Sequence, residues 1–120
     1  MDDEGRSNVE VLTDAITNER PLFGIYDGYD RKFCPVLLGT KGRGRSIKAQ
    51  VLVWLFDGET STGSVPAPGV WRCFEAGKLS DLRFIDDPWQ LGDPGSKRPR
   101  CLDVVKAKAP SYALTIQEAP

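Results

Sequence analysis

An arginine inside an otherwise apolar strand carries the most informative chemistry in this sequence. In VWRCF, residues 70–74, strand alternation sets Val70, Arg72 and Phe74 on one side and Trp71 with Cys73 on the other. If Phe74 faces a core, the guanidinium of Arg72 faces the same way. A guanidinium cannot be buried unpaired, so Arg72 is expected at the mouth of the core, meeting carbonyls, a carboxylate or a bound anion. Two roles stay open: ligand contact, or an arginine that ties a loop through Asp27, Asp30 or Glu75.

Other residue types exclude more chemistry than they offer. The chain has no histidine, which removes the commonest general base and the usual metal ligand together. Asp27, Asp30, Asp57, Asp86 and Asp87 could form acid–base pairs or a divalent-cation site, yet they fall at turns, where aspartate bonds local backbone. Cys73 has no histidine to activate it and lies among apolar neighbours, so it is not expected to be a nucleophile. The stretch GTKGRGRS lacks the GxxxxGK[ST] spacing of a phosphate loop and leads into a strand rather than a helix. It reads as a hairpin turn carrying solvated Lys41, Arg43 and Arg45. No metal, cofactor or catalytic constellation is expected.

With 120 residues there is room for one domain. Sixteen basic and seventeen acidic residues give a net charge of −1, so anion recognition must be local rather than the work of a global field. Cys34, Cys73 and Cys101 are far apart and odd in number. They read as reduced thiols of a cytoplasmic protein, with Cys34 and Cys73 buried as small apolar residues. The opening MDDEGRSNVE lacks the layout of a signal peptide and no long apolar run follows, so no membrane partner is expected.

The elements that position these residues follow from punctuation and period. Ser7 and Glu10 form an S-x-x-E capping box, and Val9, Leu12 and Ile16, with Ala15 beside them, make an apolar stripe on a helix that Pro21 stops. PLFGIYDGYDRKFCPVLLG reads as two strands joined at Asp27-Gly28. Pro35 lacks an amide hydrogen, so the second strand lies at an edge or carries a bulge there. SIKAQVLVWLF is the longest strand, with Ile47, Ala49, Val51, Val53 and Leu55 on the core face. Its other face ends in Leu52, Trp54 and Phe56, which the N-terminal helix or a second copy must cover. DGETSTGSVPAPG is a flexible connection; VWRCF and LRFI, separated by EAGKLSD, are the fourth and fifth strands. One helix followed by five short strands predicts a mainly β protein, a small Sm-like barrel of the SH3 type. Residues 1–7 are expected to be disordered, 8–88 to form the domain, and 89–120 to be an irregular tail whose CLDVV and YALTI runs clip back onto the barrel or stay mobile.

Several of these stretches resemble the WYL domain family, particularly its short stand-alone bacterial members. They are Tyr26 with its DG turn, Arg31 and Pro35 in RKFCPVLLG, the central IKAQV, and WRCFEAGKLSDL followed by FIDD. The resemblance implies an Sm-like barrel that serves as a ligand-sensing module of bacterial transcription regulators and phage-defence proteins. It also implies that Tyr26, Arg31 and Arg72 contact a negatively charged ligand, a nucleotide or single-stranded nucleic acid. Ser46, Ile47 and Lys48 stand about where Trp-Tyr-Leu would fall. Only one short helix precedes the barrel where typical regulators place a winged helix-turn-helix, so sequence-specific DNA reading by this chain alone is not expected.

Two functions of different class emerge. In the first, a stand-alone sensor pairs Arg31 and Arg72 with an anion while Tyr26 packs against a ring, and Lys41, Arg43, Arg45 and Lys48 extend the site along a phosphate backbone. In the second, a non-catalytic protein-interaction or dimerisation module uses Leu52, Trp54 and Phe56 as its face and the arginines are structural.

Overall fold

Ser7 opens helix α1 (Asn8–Asn18) through the expected reciprocal cap: its hydroxyl accepts the Glu10 amide at 3.1 Å, and the Glu10 carboxylate accepts the Ser7 amide at 2.9 Å. The computed structural model describes residues 7–115, with side chains described to 112. The expectation of disorder over 1–7 therefore lies, Ser7 apart, outside the described residues. The buried face of α1 is Val11, Leu12, Ala15 and Ile16, two i,i+4 pairs. Val9, expected in this stripe, is 43% exposed, because the buried stripe is rotated away from it. The neighbouring Asn8 reaches across instead and donates to the carbonyls of Ala76 and Leu79. The helix ends before Pro21 is reached: Glu19 turns left-handed at φ 53°, and the amides of Glu19 and Arg20 return to the carbonyls of Ile16 and Ala15.

Seven strands follow: β1 (Leu22–Tyr26), β2 (Tyr29–Lys41), β3 (Lys48–Thr60), β4 (Gly63–Ser64), β5 (Val70–Glu75), β6 (Ser80–Phe84) and β7 (Val104–Lys108), with helix α2 (Pro110–Thr115) after them. The main order is β6-β1-β2-β3-β5, antiparallel throughout, and β4 only prolongs the hairpin at the end of β3. A short 3-10 turn, Ala76–Lys78, joins β5 to β6, and no ladder pairs those two strands among the described residues. The result is a mainly β protein built on a curled antiparallel sheet, a half-barrel.

Curling follows from local sequence. Asp27 and Gly28, at φ 54° and 81°, make the two-residue turn that pairs Tyr26 with Tyr29. Pro35 sits in an interior strand, and the sheet tolerates it through a bulge: Pro35 pairs with Val53 and Leu37 with Leu52, leaving Val36 outside the β2–β3 ladder. The freed Val36 carbonyl accepts the Ala109 amide at 2.9 Å. The concave face holds Leu22, Phe33, Val51, Val53, Leu55 and Phe74, all buried. Ile47, expected on that face, is 52% exposed because β3 begins only at Lys48.

The convex face corrects the sequence reading most. Leu52, Trp54 and Trp71 are buried there, covered by the chain's own later segment rather than by α1 or a second copy. Trp54 donates to the Gln90 side chain at 3.1 Å, Trp71 donates to the Asp93 carbonyl at 2.9 Å, and Tyr112 meets Trp71 edge-on at 6.3 Å. Phe56 stays half-buried. The expected irregular tail thus contains β7, which pairs with β2 through Leu37–Thr40 alongside the stretch that β1 leaves free, and α2, whose Ser111 amide donates to Glu19 at 2.6 Å. The reduced-thiol expectation also fails at two positions, because Cys73 in β5 is bonded to Cys101 just before β7. Cys34 alone is a free thiol, and it is buried. Disulfides persist in oxidising surroundings, so the cytoplasmic location expected from cysteine spacing loses that support. Among the described residues no helix is long and apolar enough to cross a membrane.

Candidate functional site

At one end of the concave face the apolar rows give way to two arginines. Arg31 in β2 pairs in the ladders with Gly24 on one side and Gly58 on the other, so neither of its direct ladder partners contributes a side chain beside it. Strand alternation gives Arg31 the same inward direction as Phe33. Arg72 in β5 follows the same rule with Phe74, two residues on, and its own side chain stands exposed at the rim. Because β2 and β5 both flank β3, the curl turns these two positions toward one cleft.

The cleft measures about 310 Å³ and is lined by Tyr26, Asp27, Tyr29, Arg31, Thr60, Ser61, Thr62, Arg72, Cys73 and Phe74. Tyr26, Arg31 and Arg72, the three contacts expected from the sequence, are thus brought together. Arg31 is the one buried charged side chain among the described residues, 6% exposed. Its guanidinium stands 5.8, 5.6 and 5.5 Å from the ring centres of Tyr26, Tyr29 and Phe74. Its Nη2 donates to the Tyr26 carbonyl at 3.1 Å, while Nε has no partner. Burial lowers its pKa from the ordinary arginine value; Asp27 opposes that shift and Arg72 adds to it. Arg72 donates weakly to the Trp71 carbonyl at 3.3 Å. Neither arginine belongs to an ion pair among the described residues, and Glu75, one of the carboxylates considered for Arg72, is held instead by Lys48 and Lys78.

Tyr26, expected to pack against a ligand ring, also has a structural part. One face of its ring is already occupied by Phe74, and its hydroxyl accepts the Glu75 amide. It forms the wall of the cleft and fastens the first hairpin to β5. The basic positions Lys41, Arg43, Arg45 and Lys48 lie at the opposite end of the β2–β3 hairpin, where Lys41 pairs with Lys48. From Arg31 to Lys41 the strand runs about 30 Å at ~3.3 Å per residue. Lys41 donates to the Arg100 carbonyl at 3.2 Å, and Lys48 pairs with Glu75 at 3.6 Å. These four residues do not line the arginine cleft.

Sequence reasoning missed Tyr29 and the hydroxyl-rich loop Thr60, Ser61 and Thr62. Tyr29 was legible as the partner of Tyr26 across a two-residue turn. The loop reads only as a flexible connection until the β3–β4 hairpin carries it to the cleft. Within it the Thr60 hydroxyl donates to the Gly63 carbonyl at 2.9 Å and accepts the Thr62 amide, fixing the turn. Two other grooves are larger, about 490 Å³ beside Val9 and Ile47 and about 510 Å³ along the outer side of α1, but neither contains a buried charged group. No protein-family model, no curated protein and no solved structure matches the chain.

Proposed function

We propose that this chain is a non-catalytic binding module that recognises an anionic ligand in the cleft between Arg31 and Arg72, with a regulatory or sensing role. The observation that carries this reading is the state of Arg31, a guanidinium 6% exposed among three aromatic rings, with its Nε unpartnered. Burying such a group is unfavourable unless its donors are satisfied, and an oxyanion supplies both the missing acceptor and the missing charge. Arg72 adds a second donor set at the rim, and the cleft's aromatic walls suit the ring of a nucleotide or a base of single-stranded nucleic acid. The resemblance to WYL domains points to the same ligand classes. The strand order β6-β1-β2-β3-β5 after one helix supports the Sm-like, SH3-type barrel as the finer description of the fold.

The competing reading, association through Leu52, Trp54 and Phe56, has little surface left to act with, because Leu52 and Trp54 are buried under residues of the same chain.

The test is a thermal-shift and titration screen of nucleotides and short single-stranded DNA and RNA at two salt concentrations, on wild type and Arg72→Ala. Stabilisation that weakens with salt and vanishes in Arg72→Ala is the expected result. Arg72 is exposed, so the variant itself should keep wild-type stability to within about 0.5 kcal/mol. Absence of any shift with wild type removes the proposal.

A further inference from the structure

We infer that the cleft takes one compact oxyanion head of the monophosphate class, carried by a free small molecule rather than by a nucleic-acid strand. This rests on the anion-binding reading of the same site and narrows it.

Shape and charge both point to a ligand that ends in the cleft. At about 310 Å³ the space is at the lower end of small-molecule sites, which run from about 300 to 1,000 Å³. Arg31 is 6% exposed, its Nη2 is held by the Tyr26 carbonyl and its unpartnered Nε is closed off from solvent, so it can offer the cleft little of its guanidinium. That small remainder and Arg72 suit a single oxyanion group, with Ser61 supplying a hydroxyl from the facing loop.

What surrounds the cleft disfavours a continuing phosphate chain. Asp27 is the one carboxylate in the cleft's lining among the described residues, whereas alternation sets Asp30, Asp57 and Glu59 on the other face of β2 and β3, where Asp57 meets Lys32. Beyond Arg31 and Arg72 no cationic side chain among the described residues lines the cleft to take a further phosphate. The residues that could have tracked a backbone, Lys41, Arg43, Arg45 and Lys48, do not line the cleft, and Lys48 stands five residues along β3 from Val53, the ladder partner of Arg72, about 17 Å of strand. Two of them already hold the Arg100 carbonyl and Glu75. A strand of nucleic acid would thus find two arginines and no continuous basic groove of the kind that strand binders use.

The experiment compares four probes by calorimetric titration on wild type, Arg72→Ala and Arg31→Lys: a nucleoside, its 5′-monophosphate, inorganic phosphate, and an unphosphorylated decamer of the same base. The monophosphate is expected to bind at least about tenfold tighter than both the nucleoside and the decamer. It should lose about tenfold or more in Arg72→Ala, and also in Arg31→Lys, which keeps the charge but removes the planar fork. Its log-affinity should fall with log salt by a slope of about one to two rather than the steeper slope of a multi-phosphate contact. If the decamer binds tighter than the monophosphate and still depends on Arg72, the compact-head inference is overturned while the anion site stands. Monophosphate binding that survives both substitutions, or no binding of any probe by wild type, overturns the inference and the site together.

Discussion

Tyr26 lies nearly flat against Phe74, ring centres 4.3 Å apart and planes 28° from parallel, while its hydroxyl accepts the Glu75 amide at 2.9 Å. These contacts bridge the first hairpin and β5, which share no ladder. They hold the wall between Arg31 and Arg72, so the spacing of the two arginines depends on a tyrosine that need not touch the ligand.

Tyr26→Phe keeps the stack and deletes one hydrogen bond at a half-buried site, so it should cost about 1 kcal/mol in urea unfolding. Ligand affinity should change by less than about threefold, since the wall remains. Tyr26→Ala removes the wall as well. It should weaken binding far more than its stability loss explains, read by titration well below its melting temperature.

The Cys73–Cys101 bond closes a loop of sequence separation 28, for which chain-entropy arguments give about 3–4 kcal/mol. Replacing both cysteines by serine should lower unfolding free energy by that amount. Wild type in a dithiol reductant should fall to the level of the double variant, and the variant should not respond to reductant. Equal stability of the two proteins without reductant would show the bond to be energetically idle.

Cys34 provides a pH test. Burial pushes its thiol up to about 12 from an ordinary 9.0, with the Gln90 amide partly opposing and Asp87 reinforcing. Above pH 9 the unfolded thiol ionises while the folded one stays protonated, so the unfolded state binds fewer protons. Stability from this group is complete below pH 9 and declines by about 1.4 kcal/mol per pH unit as pH rises toward 12. Comparing the alkaline slope of wild type with that of Cys34→Ala isolates it; the wild-type slope should be the steeper.

Gly39 tests the role of β7. A methyl group there would collide with the Val104 carbonyl, so Gly39→Ala must push β7 off β2. Loss of more than about 2 kcal/mol is expected. Hydrogen exchange at residues 104–108 should accelerate well beyond that of β3. Retained protection at those residues would mean that β7 can shift without detaching.

Local chemistry was readable where one residue type has one structural solution. The capping box at Ser7 and Glu10, the Asp27-Gly28 turn and the bulge demanded by Pro35 all follow from backbone hydrogen-bond bookkeeping within a few residues. Arg72 could be placed on the side of Phe74 because alternation is strict within a strand. The misses share a different cause. Whether Val9 or Val11 completes the stripe of Leu12, Ala15 and Ile16 depends on where the sheet lies, so the expected stripe is right at those three positions and wrong only at Val9. The cover over Leu52 and Trp54 comes from residues some forty positions later, and no periodicity in a Pro- and Gly-rich segment announces a strand that exists only by pairing with β2. The disulfide was hidden for the same reason: spacing along the chain says nothing of proximity across a curled sheet. The loop of Thr60, Ser61 and Thr62 became part of the site only through the reach of the β3–β4 hairpin.

The cover over the convex face also sets an order in time. Leu52, Trp54 and Trp71 are synthesised before the residues that bury them, and at about 5–20 residues per second the aromatic surface waits on the order of seconds for its partner segment to emerge. During translation the protein therefore passes through a stage in which an apolar sheet face is open to any neighbouring nascent chain. Products that stop short of Gln90, Asp93 and Tyr112 should accordingly be its aggregation-prone form, whereas a chain that includes them covers its own sheet face.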